Sequence, residues 1–302
     1  MTQFQPISIA TGIPTGIPTG ITASMPAPIP GDVPGRSSRS GRGGTPGSTP
    51  GRIVGVASGK GRVGKTWFSI TLAHALARAG RRVLLFDADL GLANVDIQLG
   101  LTPTLDLGAV IAGRATLREV TLRHPEAGFD IVPGRSGSGA LSGLDPAALE
   151  RILAALREAA TGYDMVLLDL GAGLDRAVRH LAAFADMLLV LVTDEPTSMT
   201  DAYAVLKLHA SDRPGGTANV VVNQAATRPS GERTYATLAR ACTTFLGRAP
   251  PLLGVVRRDE RVRDAIRRQT PLLMRHPNCP AAEDVEAIAA GLLGPYASGP
   301  RG

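Results

Sequence analysis

Two lysines, Lys60 and Lys65, stand in the glycine-rich run Gly59-Lys-Gly-Arg-Val-Gly-Lys-Thr66. The run has the form G-x-x-x-x-G-K-[ST]. It follows an apolar stretch, Arg52 to Ser58, and precedes a stretch with helical periodicity that begins at Lys65. In that context the glycines let successive backbone N–H groups turn inward onto phosphate oxygens. The helix behind them adds the positive end of its dipole. Lys65 brings a point charge to the outer phosphates and the Thr66 hydroxyl is a ligand for Mg²⁺. The chemistry predicted is binding of a nucleoside triphosphate, with Gly59 through Trp67 (Lys60, Gly61, Arg62, Val63, Gly64, Lys65 and Thr66 between them) lining the site.

Acids follow at the right places. Asp87 and Asp89 leave a second apolar run beside this loop. A carboxylate there holds Mg²⁺ through water or orients a water for attack on the γ-phosphorus. Asp96, in the same stretch, reads instead as a turn or helix cap. Val166-Leu-Leu-Asp-Leu-Gly-Ala-Gly173 ends an apolar run in an acid, which makes Asp169 a magnesium-supporting residue of the Walker B kind. Asn223 ends another such run, where its amide suits an adenine edge.

Elements of one type must position these groups. Apolar runs at Ile53–Ser58, Arg82–Asp87, Phe129–Val132, Met165–Asp169, Met187–Thr193, Ala218–Asn223 and Leu252–Val256 are continuous, as in strands covered on both faces. Helical stretches alternate with them, so crossovers are right-handed and the sheet parallel. The fold class predicted is α/β: three layers, a P-loop NTPase fold, a mainly parallel central sheet of seven or eight strands flanked by helices. In the first helix Phe68, Leu72, Ala75, Leu76 and Ala79 share a face and Gly80 stops it. Asp145 caps a helix with Pro146 at its first position, and Leu149, Ile152, Leu153 and Leu156 form its buried stripe. Ligands then lie at the carboxyl ends of the strands, where all the acids fall.

Residues 1–50 contain a Thr-Gly-Ile-Pro repeat and Pro/Ser/Gly-rich sequence that cannot bury enough apolar surface to order itself. The expected organisation is a disordered arm at 1–50, one ATPase domain at 51–294 and a flexible tail at 295–302. The net charge of +6 comes largely from that arm and from an Arg-rich segment near the C-terminus, so specific nucleic-acid binding is not expected. Cys242 and Cys279 form no metal-ligand spacing, and Cys242 reads as a small apolar packer. A reducing cytoplasm is the expected compartment, since there is no signal-peptide pattern and no apolar run of spanning length.

Lys60 goes beyond an ordinary phosphate loop. A lysine directly after the first glycine marks the deviant Walker A motif, and the chain resembles the MinD/ParA family of dimeric ATPases. Asp87 to Leu101, Val192 to Tyr203 and Gly254 to Leu273 are similar to the flagellar-number branch, FlhG/FleN. The resemblance runs from about Arg52 to Leu273. It implies ATP and Mg²⁺ as ligands, with Lys65 and Thr66 on the phosphates and metal, Lys60 reaching a partner subunit's phosphates, Asp89 positioning the attacking water, Asp87 and Asp169 supporting the metal, and Asn223 on adenine. It implies an ATP-bound homodimer that regulates flagellar number or placement. A FlhF-like GTPase or a basal-body component would be its partner, and it would be cytoplasmic or peripheral at the inner membrane. Sister functions in septum, chromosome, plasmid, pilus or cellulose-machine positioning share the same motifs. Arg62 stands where the family usually has glycine, which points to weakened hydrolysis and, in the extreme, to an ATP-binding scaffold. The arm shows no activator segment of the FlhG type. Residues 280–302 lack a basic amphipathic helix, so membrane docking there is weakly supported.

Overall fold

A computed structural model describes residues 51–89, 91–134 and 145–294. The expected arm and tail lie outside these residues. Eight strands form one sheet: β1 (Arg52–Ser58), β2 (Val83–Ala88), β3 (Leu122–Arg123), β4 (Asp130–Val132), β5 (Met165–Ala172), β6 (Met187–Val192), β7 (Thr217–Ala225) and β8 (Leu252–Arg257). Their order is β3-β4-β2-β5-β1-β6-β7-β8. Every neighbouring pair is parallel except β3 with β4. The antiparallel β3 at the edge was not anticipated; two residues carry too little pattern to read. β5 also runs through Gly171 to Ala172, three residues past Asp169, where a turn was expected.

The helices are α1 (Lys65–Arg78), α2 (Val95–Leu99), α3 (Leu107–Ile111), α4 (Leu117–Val120), α5 (Pro146–Ala160), α6 (Arg176–Phe184), α7 (Pro196–Asp212), α8 (Arg228–Leu246), α9 (Glu260–Arg267), α10 (Leu272–Arg275) and α11 (Pro280–Leu293). They cover both faces of the sheet. Along β5 the side chains alternate: Val166, Leu168 and Leu170 enter one core with α5 and α6, while Met165 and Leu167 enter the other with α1 and α11. That is why the strands read as unbroken apolar runs. In α5 the Asp145 carboxylate accepts from the Ala147 N–H, and the buried stripe is the one predicted. Cys242 is fully buried in α8.

The first helix departs from its sequence reading. Ala79 is exposed just past its end, and Trp67 through Leu76 are all buried, because sheet, α2, α10 and α11 surround it. One-sided periodicity is lost when a helix is covered on all sides. Burial on every side also traps His74, whose ring lies 6.3 Å from that of Phe129. Desolvation, with help from Arg78 and His124, lowers its pKa from 6.5 to about 4. The unfolded chain therefore takes up a proton here between about pH 6.5 and 4 that the folded chain refuses, so this residue's contribution is lost as pH falls through that window. His74→Leu is expected to flatten the acid side of the stability curve relative to wild type, measured as urea midpoints between pH 7 and 4.5.

Helix α11 belongs to the core rather than to the surface: Ala281, Val285, Ile288 and Leu292 pack on β8 and α1. Its buried Asp284 accepts from the Arg228 and Arg257 guanidiniums and from the Arg257 N–H. Arg257 is thus a structural cation, whereas Arg261, Arg263, Arg267 and Arg268 of the same Arg-rich segment are exposed.

Candidate nucleotide site

The parallel register places the acids before any side chain is considered. β1 lies between β5 and β6, and Asp87 of β2 is paired in register with Asp169 of β5. The loop from Gly59 to Gly64 leaves β1 at the same end of the sheet and turns into α1. Gly64 precedes that helix with φ of +85°, and a side chain there would strike the Asn223 amide. A Cβ on Gly59 would overlap Asp201 of α7, so this glycine is required by how closely α7 approaches. No acid sits in the first turn of α1 to neutralise the positive end of its dipole.

Lys65 is 8% exposed, with its ammonium 3.8 Å from the Asp169 carboxylate. Asp169 Oδ1 also accepts from the Ser69 hydroxyl at 2.9 Å, and its Oδ2 is buried without a partner among the described residues. Burial raises the Asp169 pKa, against the pull of Lys65, Thr66 and Ser69. Asp87 is fully buried; its oxygens accept the N–H groups of Asp89, Asn94 and Val95. Burial and the neighbouring Asp169 push its pKa up to about 7. Asp87 thus holds the backbone that carries Asp89, and Asp89 itself is half-buried, accepting from the Leu92 N–H. Asp96 is neither a turn residue nor the cap: it is buried in the first turn of α2, which Asn94 precedes, and accepts from the Ile97 N–H.

Asn223 is buried and donates to the Val63 carbonyl at 2.7 Å, while accepting from the Gln224 N–H. Here it braces the phosphate loop against β7. Gln224 donates to the Arg62 carbonyl at 3.3 Å. The Trp67 indole lies in the core, which leaves only its backbone N–H for the anion.

Two residues across this brace, Arg62 (φ +66°) and Gln224 (φ +57°), hold the left-handed conformation that favours glycine. For Arg62 the strain anticipated from its place in the motif is therefore present. Glycine relieves it and alanine does not, so Arg62→Gly is expected to be more stable than Arg62→Ala by roughly 1 kcal/mol in urea denaturation.

Lys60 lies on the rim. Its ammonium donates to Glu195 at 2.5 Å and to the Thr197 hydroxyl at 2.8 Å, at the start of α7. Sequence reading missed Glu195 and Thr197 as partners. Pro196 at the first position of α7 marked a helix start there, but nothing linked it to a lysine 135 residues earlier.

A magnesium ion fits this arrangement through few protein ligands. Among the described residues no group of three His, Cys, Asp or Glu side chains is placed to hold a metal. The Thr66 hydroxyl and the orphaned Asp169 oxygen are placed for an ion that takes its remaining oxygens from phosphate and water.

Strand, glycine loop, buried lysine and paired acids define a P-loop nucleotide-binding α/β protein. A sequence profile described as the CobQ/CobB/MinD/ParA nucleotide binding domain (CbiA) matches residues 54–272. The chain belongs to that family of P-loop ATPases. It is 39% identical over 252 residues to the antiactivator FleN of Pseudomonas aeruginosa, covering 83% of this chain and 90% of the relative. It is 28% identical over 244 residues to the flagellum site-determining protein YlxH of Helicobacter pylori, covering 80% and 81%. Its fold matches the septum site-determining protein MinD complexed with Mg-ADP from Pyrococcus horikoshii, with a TM-score of 0.68, 24% identity and coverage of 82% and 98%.

Proposed function

We propose that this chain is a MinD-like ATPase, an ATP-dependent dimerisation switch that regulates flagellar number or placement. The observation that carries the reading is the split between its two loop lysines. Lys65 is buried beside Asp169, as a residue of the chain's own triphosphate site must be. Lys60 is exposed on the rim and paired with Glu195, open to a second molecule's nucleotide. The similarity to FleN and YlxH supports the flagellar assignment.

ATP and Mg²⁺ are the ligands. Thr66 and the Asp169 carboxylate would hold the ion, which would supply positive charge against that developing on the phosphates. Lys65 and the N–H groups of Gly64 to Trp67 hold the phosphates. Asp89, positioned by Asp87, orients the water. Lys60 stabilises the transition state across the dimer. Asn223 braces the loop and borders the adenine. No described helix is long and apolar enough to cross a membrane. The switch acts in the cytoplasm or at the inner membrane surface, on a FlhF-like GTPase or a basal-body component.

The test has two arms. Light scattering after size exclusion is expected to show a dimer with ATP, Mg²⁺ and Asp89→Asn, and a monomer with ADP. Deleting the gene is expected to change the number or position of flagella. A chain that stays monomeric with ATP removes the switch. Unchanged flagella with an intact switch move the role to another positioning system.

A further inference from the structure

The outer surface carries a groove of about 960 Å³ between α5 and α6 that shares no residue with the nucleotide site. Leu153, Ala154, Ala183 and Phe184 supply its apolar surface. Its basic groups divide into two kinds. His180 is bonded to Glu150 at 2.9 Å, and Arg179 makes a two-pronged pair with Asp212. The Arg179–Asp212 pair neutralises itself and ranks as a surface ion pair, while the His180 contact engages the Glu150 carboxylate. Arg157 and Arg176 have no carboxylate within ion-pair distance among the described residues. Arg157 lies instead over the Phe184 ring, its Cζ 4.6 Å from the centroid. A guanidinium set on an aromatic at the edge of an apolar surface keeps its charge while its stem and partner are already ordered.

We propose that this groove is a docking site for an acidic amphipathic segment of another protein. The segment's apolar face lies on Leu153, Ala154 and Ala183, and its carboxylates meet Arg157 and Arg176. Charge decides the occupant. The stretches outside the described residues (1–50, 90, 135–144 and 295–302) contain a single acid, Asp32, against Arg36, Arg39, Arg42, Arg135 and Arg301, so none of them is an acidic segment. Helix α6 starts four residues after the end of β5, the strand that carries Asp169. Asp212, at the rim, ends α7, the helix whose first turn holds Lys60. A segment in the groove would thus touch both elements that leave the nucleotide site.

The full chain is titrated into a fluorescein-labelled peptide of Glu, Leu and Ala with its leucines on one helical face. A length of about 16 residues matches the 15 residues of α5, the longer wall of the groove. Anisotropy is expected to rise saturably and to fall with added salt, and a peptide with Lys in place of Glu is expected not to bind. Arg157→Glu with Arg176→Glu is expected to weaken binding by about tenfold or more while ATP binding stays unchanged. If that double variant loses its thermal transition, Ala154→Trp, at an exposed helix position, blocks the groove by bulk instead. Failure to bind, equal binding of the Lys peptide, or indifference to both variants overturns the proposal. Displacement by inorganic phosphate or ATP alone would make the groove a small-anion site, and protection of Arg157 in a sedimenting self-associated form would make it a self-interface; either also overturns it.

Discussion

Lys60→Ala is expected to leave ATP binding nearly unchanged and to lower turnover by roughly 10³-fold, the scale on which a cation supplied across an interface contributes to phosphoryl transfer. Binding survives because Lys65, the loop N–H groups and the helix terminus are untouched. Turnover falls because the charge contributes more to the transition state than to the bound ground state. Glu195→Ala is the informative counterpart. In the single chain Glu195 and Thr197 hold the Lys60 ammonium, and that hold lowers the Glu195 pKa. Both side chains of the ion pair are more than a third exposed, so the pair is weak and easily exchanged for a triphosphate. Releasing it is expected to raise the fraction of dimer at sub-saturating ATP without changing the rate at saturation. A light-scattering titration against ATP reads the first quantity and steady-state turnover reads the second. Lys60→Ala hydrolysing like wild type would remove the lysine from catalysis. Glu195→Ala dimerising at the wild-type ATP concentration would show that the intramolecular pair does not compete with dimer formation.

These two residues also mark the boundary of what the sequence discloses. Lys60 was legible because a lysine among so many arginines, at a fixed offset from a glycine, is a local signal. Glu195 was not, because its role exists only after β1 and β6 lie side by side and bring α7 against the loop. The same distinction runs through the fold. Seven strands were readable as apolar runs because both faces of the sheet are covered, and their carboxyl ends collected the acids as parallel topology requires. The eighth, Leu122–Arg123, takes its identity from its neighbour β4 and not from its own residues. Asp169 was found from its strand, but Ser69, which fixes one of its oxygens, looks like any small residue of a helix. Asn223 was read for its exposed amide chemistry, whereas its bond to Val63 depends on β7 passing within reach of the phosphate loop. Arg62 lies between these cases: the motif placed it where glycine is usual, and the backbone angle shows why that exchange has a cost.

Lys65→Met is expected to abolish nucleotide binding and also to destabilise the ligand-free chain. The second effect follows from the neighbours. Asp87 and Asp169 are buried side by side, and Lys65 is the strongest influence that lowers the Asp169 pKa against its desolvation. Removing the only buried ammonium beside them leaves carboxylate charge uncompensated, a loss of about 3 kcal/mol for a buried pair broken on one side. Its pH dependence distinguishes this cause from simple loss of packing. Both folded-state pKa values are already raised, that of Asp87 to about 7, and that of Asp169 rises further without the lysine. Protonation then relieves the defect at low pH, so the difference from wild type is expected to be larger at pH 8 than at pH 5. Adding Asp169→Asn to Lys65→Met is expected to recover much of the stability at pH 8 and none of the ATP binding. Urea midpoints at the two pH values, with isothermal titration against ATP and Mg²⁺, test both halves. A pH-independent loss would mean that Lys65 acts by filling space, and recovered binding in the double variant would show that the phosphates are held without it.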